Sequence, residues 1–185
     1  MGKVLVLYHS LTGNTEYMAG LVTEGAKKIP DIDVKCLSLK EAGPEDLLWC
    51  DGIAMGAPTH MGVAPWQVVQ WWTKALGKTW PHIDGKFGCA FSSAGGWGGG
   101  NEMTIQCLLK IMMNLGIMVF GAPDYTGKNT TLHYGAVAVD KPETAKEKEA
   151  CRRLGRRLAE WVAVFYDGRK EQSPHRAKYN RFKFE

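Results

Sequence analysis

The segment 9–15, which reads HSLTGNT, combines residue types that suit the binding of a small anion. It follows an apolar run and precedes residues with helical periodicity, so it lies at a predicted strand-to-helix turn. A helix N-terminus presents unpaired backbone N–H groups and the positive end of the helix dipole. The hydroxyls of Ser10, Thr12 and Thr15 add donors, and Gly13 lets the backbone close around the anion. An ordinary capped turn is the alternative.

The same segment lacks the features of two common nucleotide-binding loops. It has no Lys-Ser/Thr pair of the Walker A type, so we expect no metal-bound triphosphate. It also lacks the G-x-G-x-x-G pattern, which disfavours the pyrophosphate of a dinucleotide. A single terminal phosphate monoester fits the segment best.

Two later segments add groups that suit a flat, polar ring. Residues 92–102, SSAGGWGGGNE, contain five glycines, a density that allows backbone N–H groups to approach a ligand closely. Trp97 lies among them and is placed to cover a ring face; a merely flexible loop is the alternative. Residues 58–62, PTHMG, supply His60, which either contacts a cofactor or caps the turn.

The elements that must position these segments alternate between strands and helices. Short apolar runs predict five strands, at 3–8, 33–39, 51–58, 86–93 and 117–123. Helical periodicity predicts helices at 14–28, 44–50, 65–76, 101–115 and 142–166. This order is typical of βαβ crossovers, so we expect an α/β fold with a parallel sheet and helices on both faces. The segment 123–141 is expected to be a long, irregular loop before the last helix.

Ligands of doubly wound α/β folds bind beyond the carboxyl ends of the strands. That rule selects the segments 9–15, 58–64 and 93–101, and all three are unusual in composition. One phosphate, one planar polar ring and an α/β fold together indicate flavin mononucleotide (FMN).

The chain also resembles a known family from residue 3 to about residue 166. The segments that carry the resemblance are, in order, KVLVLYHSLTGNTEYMA, GAPTHMG, FSSAGGWGGGNEMTI and HYGAVAV. They are similar to the flavodoxin-like NAD(P)H:quinone oxidoreductases of the WrbA type. The resemblance implies a flavodoxin-like three-layer sandwich that binds FMN, with a five-stranded parallel sheet in the order 2-1-3-4-5. The insertion that this family carries after the second strand is missing, since only residues 40–46 lie there.

Matching the motifs position by position implies three sets of cofactor-binding residues. The phosphate is expected to be held by Ser10, Leu11, Thr12, Gly13, Asn14 and Thr15. One side of the isoalloxazine ring is expected to meet Pro58, Thr59, His60, Met61 and Gly62. The other side is expected to be lined by Ser93, Ala94, Gly95, Gly96, Trp97 and Gly98. No catalytic side chain and no metal ligand are expected.

Three functions are compatible with these residues. The resemblance implies an enzyme, an oxidoreductase that passes electrons from NAD(P)H through FMN to a small quinone-like acceptor. The mild net charge of +4 favours this reading over a flavodoxin-type electron carrier without turnover, since small flavodoxins are usually strongly acidic. That carrier is the alternative. A flavin-free binding module is the third hypothesis, although receiver-type regulators of this architecture need clustered acidic residues, which the segment 9–15 lacks.

Length and composition exclude several other classes. The 185 residues suit a single domain, and no apolar run approaches the roughly 20 residues that cross a bilayer. We expect no membrane insertion, no signal peptide and a cytoplasmic location. The five cysteines show no C-x-x-C spacing, which argues against an iron–sulfur or zinc site. The basic residues near the end indicate a solvated helix face and not a nucleic-acid site, because no binding module accompanies them.

The domain boundaries are expected at residue 166. Residues 1–166 form the predicted FMN-binding domain, and residues 167–185 form a basic C-terminal tail. Tyr179, Phe182 and Phe184 alternate with charged residues in this tail, which suits an arm that docks on a neighbouring subunit. We therefore expect a homo-oligomer, either a dimer or a tetramer.

Overall fold

The computed structural model describes residues 1–127 and 130–174, apart from the side chain of Asp124. The first eight elements alternate as predicted: β1 (Gly2–Tyr8), α1 (Asn14–Ala26), β2 (Ile32–Ser38), α2 (Pro44–Trp49), β3 (Gly52–Pro58), α3 (Trp66–Thr79), β4 (Phe87–Ala94) and α4 (Asn101–Met113). The remaining strands and the last long helix are β5 (Met118–Val119), β6 (Ala122–Gly127), β7 (Thr130–Leu132), β8 (Ala136–Val139) and α5 (Ala145–Tyr166).

The main sheet is parallel and has the order β2-β1-β3-β4-β5, which confirms the predicted topology. Successive side chains of a strand point to opposite faces, so β1 contributes to two cores. Val4 and Val6 pack with α1 and α5 on one face. Leu5 and Leu7 pack with α2, α3 and α4 on the other face. Burial on both faces explains the continuous apolar run in the sequence.

The parallel register brings the ends of three strands to one edge of the sheet. Tyr8 at the end of β1 lies beside Gly56, and Pro58 at the end of β3 lies beside Ser93. The segments that follow β1, β3 and β4 therefore leave the sheet at the same edge, as expected for a doubly wound fold.

The prediction of a single fifth strand at 117–123 is wrong. The main sheet is paired there only at Met118 and Val119, and β6 then leaves it to form an antiparallel hairpin with β7. The part of β4 along which residues 120–123 would have continued is paired with a later segment, so β6 pairs with β7 instead. The chain returns as β8, which pairs with Phe91–Ala94 of β4. The expectation of an irregular segment at 123–141 is therefore also wrong.

The last helix begins three residues later than predicted, at Ala145 instead of 142. Thr144 is its N-cap, since the Thr144 hydroxyl accepts a hydrogen bond of 3.2 Å from the Glu147 amide. The Glu147 carboxylate accepts one of 3.0 Å from the Thr144 amide in return. Such a capping box satisfies the free amides at a helix start and fixes where the helix begins.

The first residues of the predicted tail contact the body of the domain. Asp167 accepts a hydrogen bond of 2.9 Å from the Gly2 amide and pairs with the N-terminal ammonium group at 3.0 Å. Arg169 donates to the carbonyl oxygen of Pro30 at 2.6 Å. The aromatic residues Tyr179, Phe182 and Phe184 lie outside the described residues. In the described part of the chain, no helix is both long and apolar enough to cross a membrane.

Helices α1 and α5 approach each other closely at two glycines. A side-chain Cβ at Gly25 would overlap the carbonyl oxygen of Arg152, and a Cβ at Gly155 would overlap that of Val22. The two contacts are reciprocal, since each helix places a glycine against the backbone of the other. Only a residue without a Cβ allows this separation of the helix axes.

We expect Gly25→Ala to lower the free energy of unfolding by about 1–3 kcal/mol, because the added methyl group forces α1 and α5 apart. Gly20→Ala is the matched control in the same helix, since no atom lies within 4 Å of a Cβ built there. We expect this control to raise stability by about 0.4–1 kcal/mol through the lower entropy of the unfolded chain. Urea denaturation measures both changes, and equal effects of the two substitutions would contradict the close-packing argument.

Candidate functional site

The loop after β1 leads into α1 with free backbone amides. Gly13 has φ +86°, a left-handed conformation that turns the chain into the helix, and its amide donates to the Ser10 hydroxyl at 3.1 Å. The first carbonyl oxygen that accepts a hydrogen bond within the helix is that of Gly13, to which the Tyr17 amide donates at 2.9 Å. The amides of Asn14, Thr15 and Glu16 therefore have no acceptor within the helix, and no side chain caps it. They form the positive end of α1.

A buried hydrogen bond ties this loop to β4. The hydroxyl oxygens of Thr15 and Ser93 lie 2.9 Å apart, and both residues are buried. The bond joins two residues that are far apart in the sequence, both predicted to contact the cofactor. Because their hydroxyls engage each other, these residues fix the position of the α1 N-terminus relative to the glycine-rich loop.

The second predicted segment is held by Thr59. Its amide donates to the Ser93 carbonyl oxygen at 2.7 Å, and its hydroxyl lies 3.3 Å from that of Ser92. His60 then forms a tight turn with Val63, with backbone hydrogen bonds of 2.9 and 3.0 Å. The tip of this turn is Met61, whose side chain is fully exposed. Pro58 is the last residue of β3.

The third predicted segment is open to solvent. Ser93 and Ala94 end β4, and the following residues reach α4 through a turn in which Gly99 donates to the Gly96 carbonyl oxygen at 3.1 Å. Trp97 is 67% exposed, so its ring is not part of the core. A Cβ built at Gly100 would lie 3.2 Å from the Cα of Gly62, which places the second and third loops side by side.

The structure adds residues to this edge that the sequence analysis did not select. The Thr104 hydroxyl donates to that of Thr59 at 3.0 Å, and the Asn101 side chain donates to the Ala138 carbonyl oxygen at 2.8 Å. A cavity of about 350 Å³ is lined by Trp97, His133 and Tyr134, among other residues. The segment HYGAVAV was the available signal for the last two residues, but no site residue was taken from it.

The arrangement fits the group that the sequence predicts. No atom lies within 4 Å of a Cβ built at Gly13, Gly95 or Gly96, so both loops leave space in front of their backbones. The amides of α1 suit a phosphate, and the exposed Trp97 and Met61 side chains suit the faces of a flat ring. The three loops contain no lysine or arginine, so backbone dipoles supply the positive potential. Within residues 1–127 and 130–174, His, Cys, Asp and Glu side chains form no cluster that could hold a metal ion.

The comparison with known proteins decides the family. A family model described as Flavodoxin matches residues 6–155. A flavodoxin from Aquifex aeolicus (strain VF5) is 56% identical over 171 residues, which make up 92% of this chain and 92% of that protein. This chain belongs to the flavodoxin family.

Other relatives are more distant. An NAD(P)H dehydrogenase (quinone) from Acidovorax ebreus (strain TPSY) is 30% identical, and the alignment covers 91% of this chain and all of that protein. A solved structure of a flavodoxin from the domain Archaea is 27% identical and superimposes with a TM-score of 0.68, covering 86% of this chain and 98% of the other. The predicted flavodoxin-like fold is thus confirmed.

His9 is the first residue after β1, directly before the residues predicted to hold the phosphate, and is 8% exposed. Burial lowers the pKa of its imidazole from the ordinary value of 6.5, and the charges of His60 and Lys40 act in the same direction. The unfolded chain therefore binds the proton at a higher pH than the folded chain. Between the two pKa values, the unfolded state holds more protons, so the free energy of unfolding decreases as the pH falls.

We expect His9→Gln to reduce the loss of stability between about pH 7.5 and about pH 5.5, because the variant has no imidazole to protonate at this position. Urea denaturation at both pH values measures the difference between variant and wild type. His82→Gln is the control, since His82 is exposed. A His9→Gln variant with the same pH dependence as the wild type would contradict the role of burial at His9.

Proposed function

We propose that this chain binds FMN at the edge formed by the three loops and works as a flavodoxin-type electron carrier. The observation that carries the proposal is the open N-terminus of α1, whose amides face a loop without cationic side chains and are tied to β4 through Thr15 and Ser93. Membership of the flavodoxin family supports the same cofactor and the same role.

Each loop has a separate task in this proposal. The amides at the start of α1 bind the phosphate, and the Ser10 hydroxyl holds the loop closed through the Gly13 amide. Trp97 and the turn at Met61 cover the two faces of the ring and exclude water from it. Thr59 holds that turn at the end of β3 through its bonds to Ser93 and Thr104. When bound, FMN supplies the electron transfer itself, and no side chain has to act as an acid or base.

An NAD(P)H:quinone oxidoreductase is the second candidate. The mildly basic charge and the relatives named NAD(P)H dehydrogenase (quinone) favour it. The alignment with the Acidovorax relative, however, runs over 201 positions, more than this whole chain contains, so that relative carries residues that this chain lacks. The alignment with the Aquifex flavodoxin covers the same share of both proteins. The missing insertion after β2 agrees with this difference and supports the carrier.

The partners belong to the same proposal. A carrier exchanges electrons with other redox proteins, whereas the oxidoreductase would need a small quinone-like acceptor and NAD(P)H as the donor. A homo-oligomer joined by the C-terminal tail and a cytoplasmic location stay predictions, and most of that tail lies outside the described residues.

We expect Thr12→Glu to weaken FMN binding roughly tenfold, because the added carboxylate lies in the loop that holds the phosphate. Riboflavin has the same ring and no phosphate, so we expect its affinity to change by less than about twofold. Fluorescence titration of the flavin-free protein with each ligand measures both values. Equal losses of affinity for FMN and riboflavin would contradict the proposal, because the phosphate would then not be bound by this loop.

Thr73→Glu is the matched control for the added charge. Thr73 is exposed in α3, outside the three loops, and its hydroxyl donates to the Val69 carbonyl oxygen at 2.8 Å. We expect this variant to bind FMN and riboflavin with the affinities of the wild type.

Anaerobic mixing with NADPH distinguishes the two candidate functions. We expect the flavin absorbance of the carrier to stay constant for minutes, since a carrier receives its electrons from another redox protein and not from a nicotinamide. Enzymes typically turn over at about 1–1000 per second, so bleaching within seconds would support the oxidoreductase and overturn the carrier. Dithionite is the positive control, because it reduces bound flavin in either case.

A further inference from the structure

A second cavity lies next to the proposed flavin site, on the face of the sheet that α2 and α3 cover. It has a volume of about 410 Å³, lies between residues 39–44 and helix α3, and is also lined by His9. None of the residues predicted to bind FMN lines it. Its volume is in the range of sites that bind small organic molecules.

One wall of this cavity is a rigid aromatic ring. The Trp71 indole N–H donates to the Ala42 carbonyl oxygen at 3.1 Å, which joins α3 to the segment before α2. The ring also packs edge-on against Trp72, with the centroids 5.5 Å apart. Leu39 and Pro44 add apolar surface opposite α3. A flat, apolar group is the ligand that such walls favour.

The charges that line the cavity are positive. Lys40 and Lys74 come from opposite sides of it, and both side chains are exposed, whereas no acidic residue is among the described residues that line it. Glu41 is the nearest acidic residue in the sequence to Lys40. Its carboxylate accepts hydrogen bonds from the Ser38 amide and hydroxyl at 2.9 and 2.7 Å, so it is engaged elsewhere. The cavity therefore favours a ligand with a negative charge.

Two polar atoms in the wall have no hydrogen-bond partner among the described residues. They are Nε2 of His9, a residue that is only 8% exposed, and Oε1 of Gln67. A buried polar atom without a partner costs about 1–3 kcal/mol, so such atoms are rare unless a water or a ligand completes them. Gln67 is an acceptor through this buried oxygen. A ligand hydroxyl or N–H group in the cavity can donate to it once the flexible side chain turns toward the cavity.

We propose that this cavity binds an aromatic carboxylate that carries a hydroxyl group. The carboxylate lies between Lys40 and Lys74, the ring packs on Trp71, and the hydroxyl donates to Gln67. Inorganic anions fit less well, because most of the lining is apolar and leaves them without their hydration. His9 separates this ligand from the first flavin-binding loop, so the two sites are neighbours and not one site.

Calorimetric titration of the full-length, FMN-loaded protein with three related compounds tests the proposal. The probes are naphthoate, naphthol, and a hydroxynaphthoate whose hydroxyl lies on the ring distal to the carboxylate. We expect saturable one-to-one binding of hydroxynaphthoate below about 1 mM, weaker binding of naphthoate and the weakest binding of naphthol. The FMN absorbance spectrum is recorded in the same samples and is expected not to show release of the flavin.

Substitutions locate the binding. We expect the double variant Lys40→Gln, Lys74→Gln to bind naphthoate about tenfold more weakly and naphthol with less than about a twofold change. The matched control is Lys78→Gln, Lys110→Gln, which removes two exposed charges outside the cavity and is expected to bind like the wild type. Gln67→Leu is expected to abolish the advantage of hydroxynaphthoate over naphthoate.

Four results would overturn the proposal. The first is equal affinity for naphthoate and naphthol, which would remove the role of the lysines. The second is unchanged naphthoate binding in the Lys40, Lys74 double variant. The third is release of FMN by the probes, because it would place them in the flavin site. The absence of any binding to the wild type would overturn it as well.

Discussion

Parallel alignment of β1, β3 and β4 places the loops of the proposed site at one edge of the sheet. All three strands are buried on both faces, so their loops can leave the sheet only at its ends. The shared direction puts the loops with the free amides and the glycines at one edge. Hydrogen bonds between Thr15 and Ser93 and between Thr59 and Ser93 then fix their spacing across that edge. A binding site made of backbone needs this precision, because an amide cannot move to a ligand as a lysine side chain can.

The direction of helix α1 is determined near its C-terminal end. Close contact with α5 at the glycines 25 and 155 sets the direction of the α1 axis, while the bond from Thr15 to Ser93 holds its N-terminus at the loop. Helix α5 is fixed in turn by its apolar stripe, which packs in the core with Val4 and Val6 of β1, and by Asp167, which accepts a hydrogen bond from the Gly2 amide at the start of β1. The direction of the α1 dipole is therefore set by packing far from the loop that uses it.

Positive potential reaches the two neighbouring sites by different means. The proposed flavin site uses helix amides and has no cationic side chain in its three loops, whereas the cavity beside Trp71 has two lysines at its surface. His9 lies between them, and burial keeps its imidazole neutral near neutral pH. A neutral residue at this position adds no fixed charge to either site. The net charge of +4 consequently reflects the remaining surface and gives little information on the flavin site itself.

The alternation of strands and helices, the parallel sheet order implied by the family resemblance, and the three loops at the edge could all be predicted from the sequence. These features depend on local periodicity and on residue types at strand ends, which a single chain displays directly. The sequence did not determine the split of the fifth strand, because whether residues 122–127 pair with β4 or with residues 130–132 is decided by contacts between distant segments. Two further features arise only when the elements pack. They are the hydrogen bonds from Thr15 to Ser93 and from Thr104 to Thr59, and the cavity beside Trp71. Each of them brings together residues that no local sequence pattern relates.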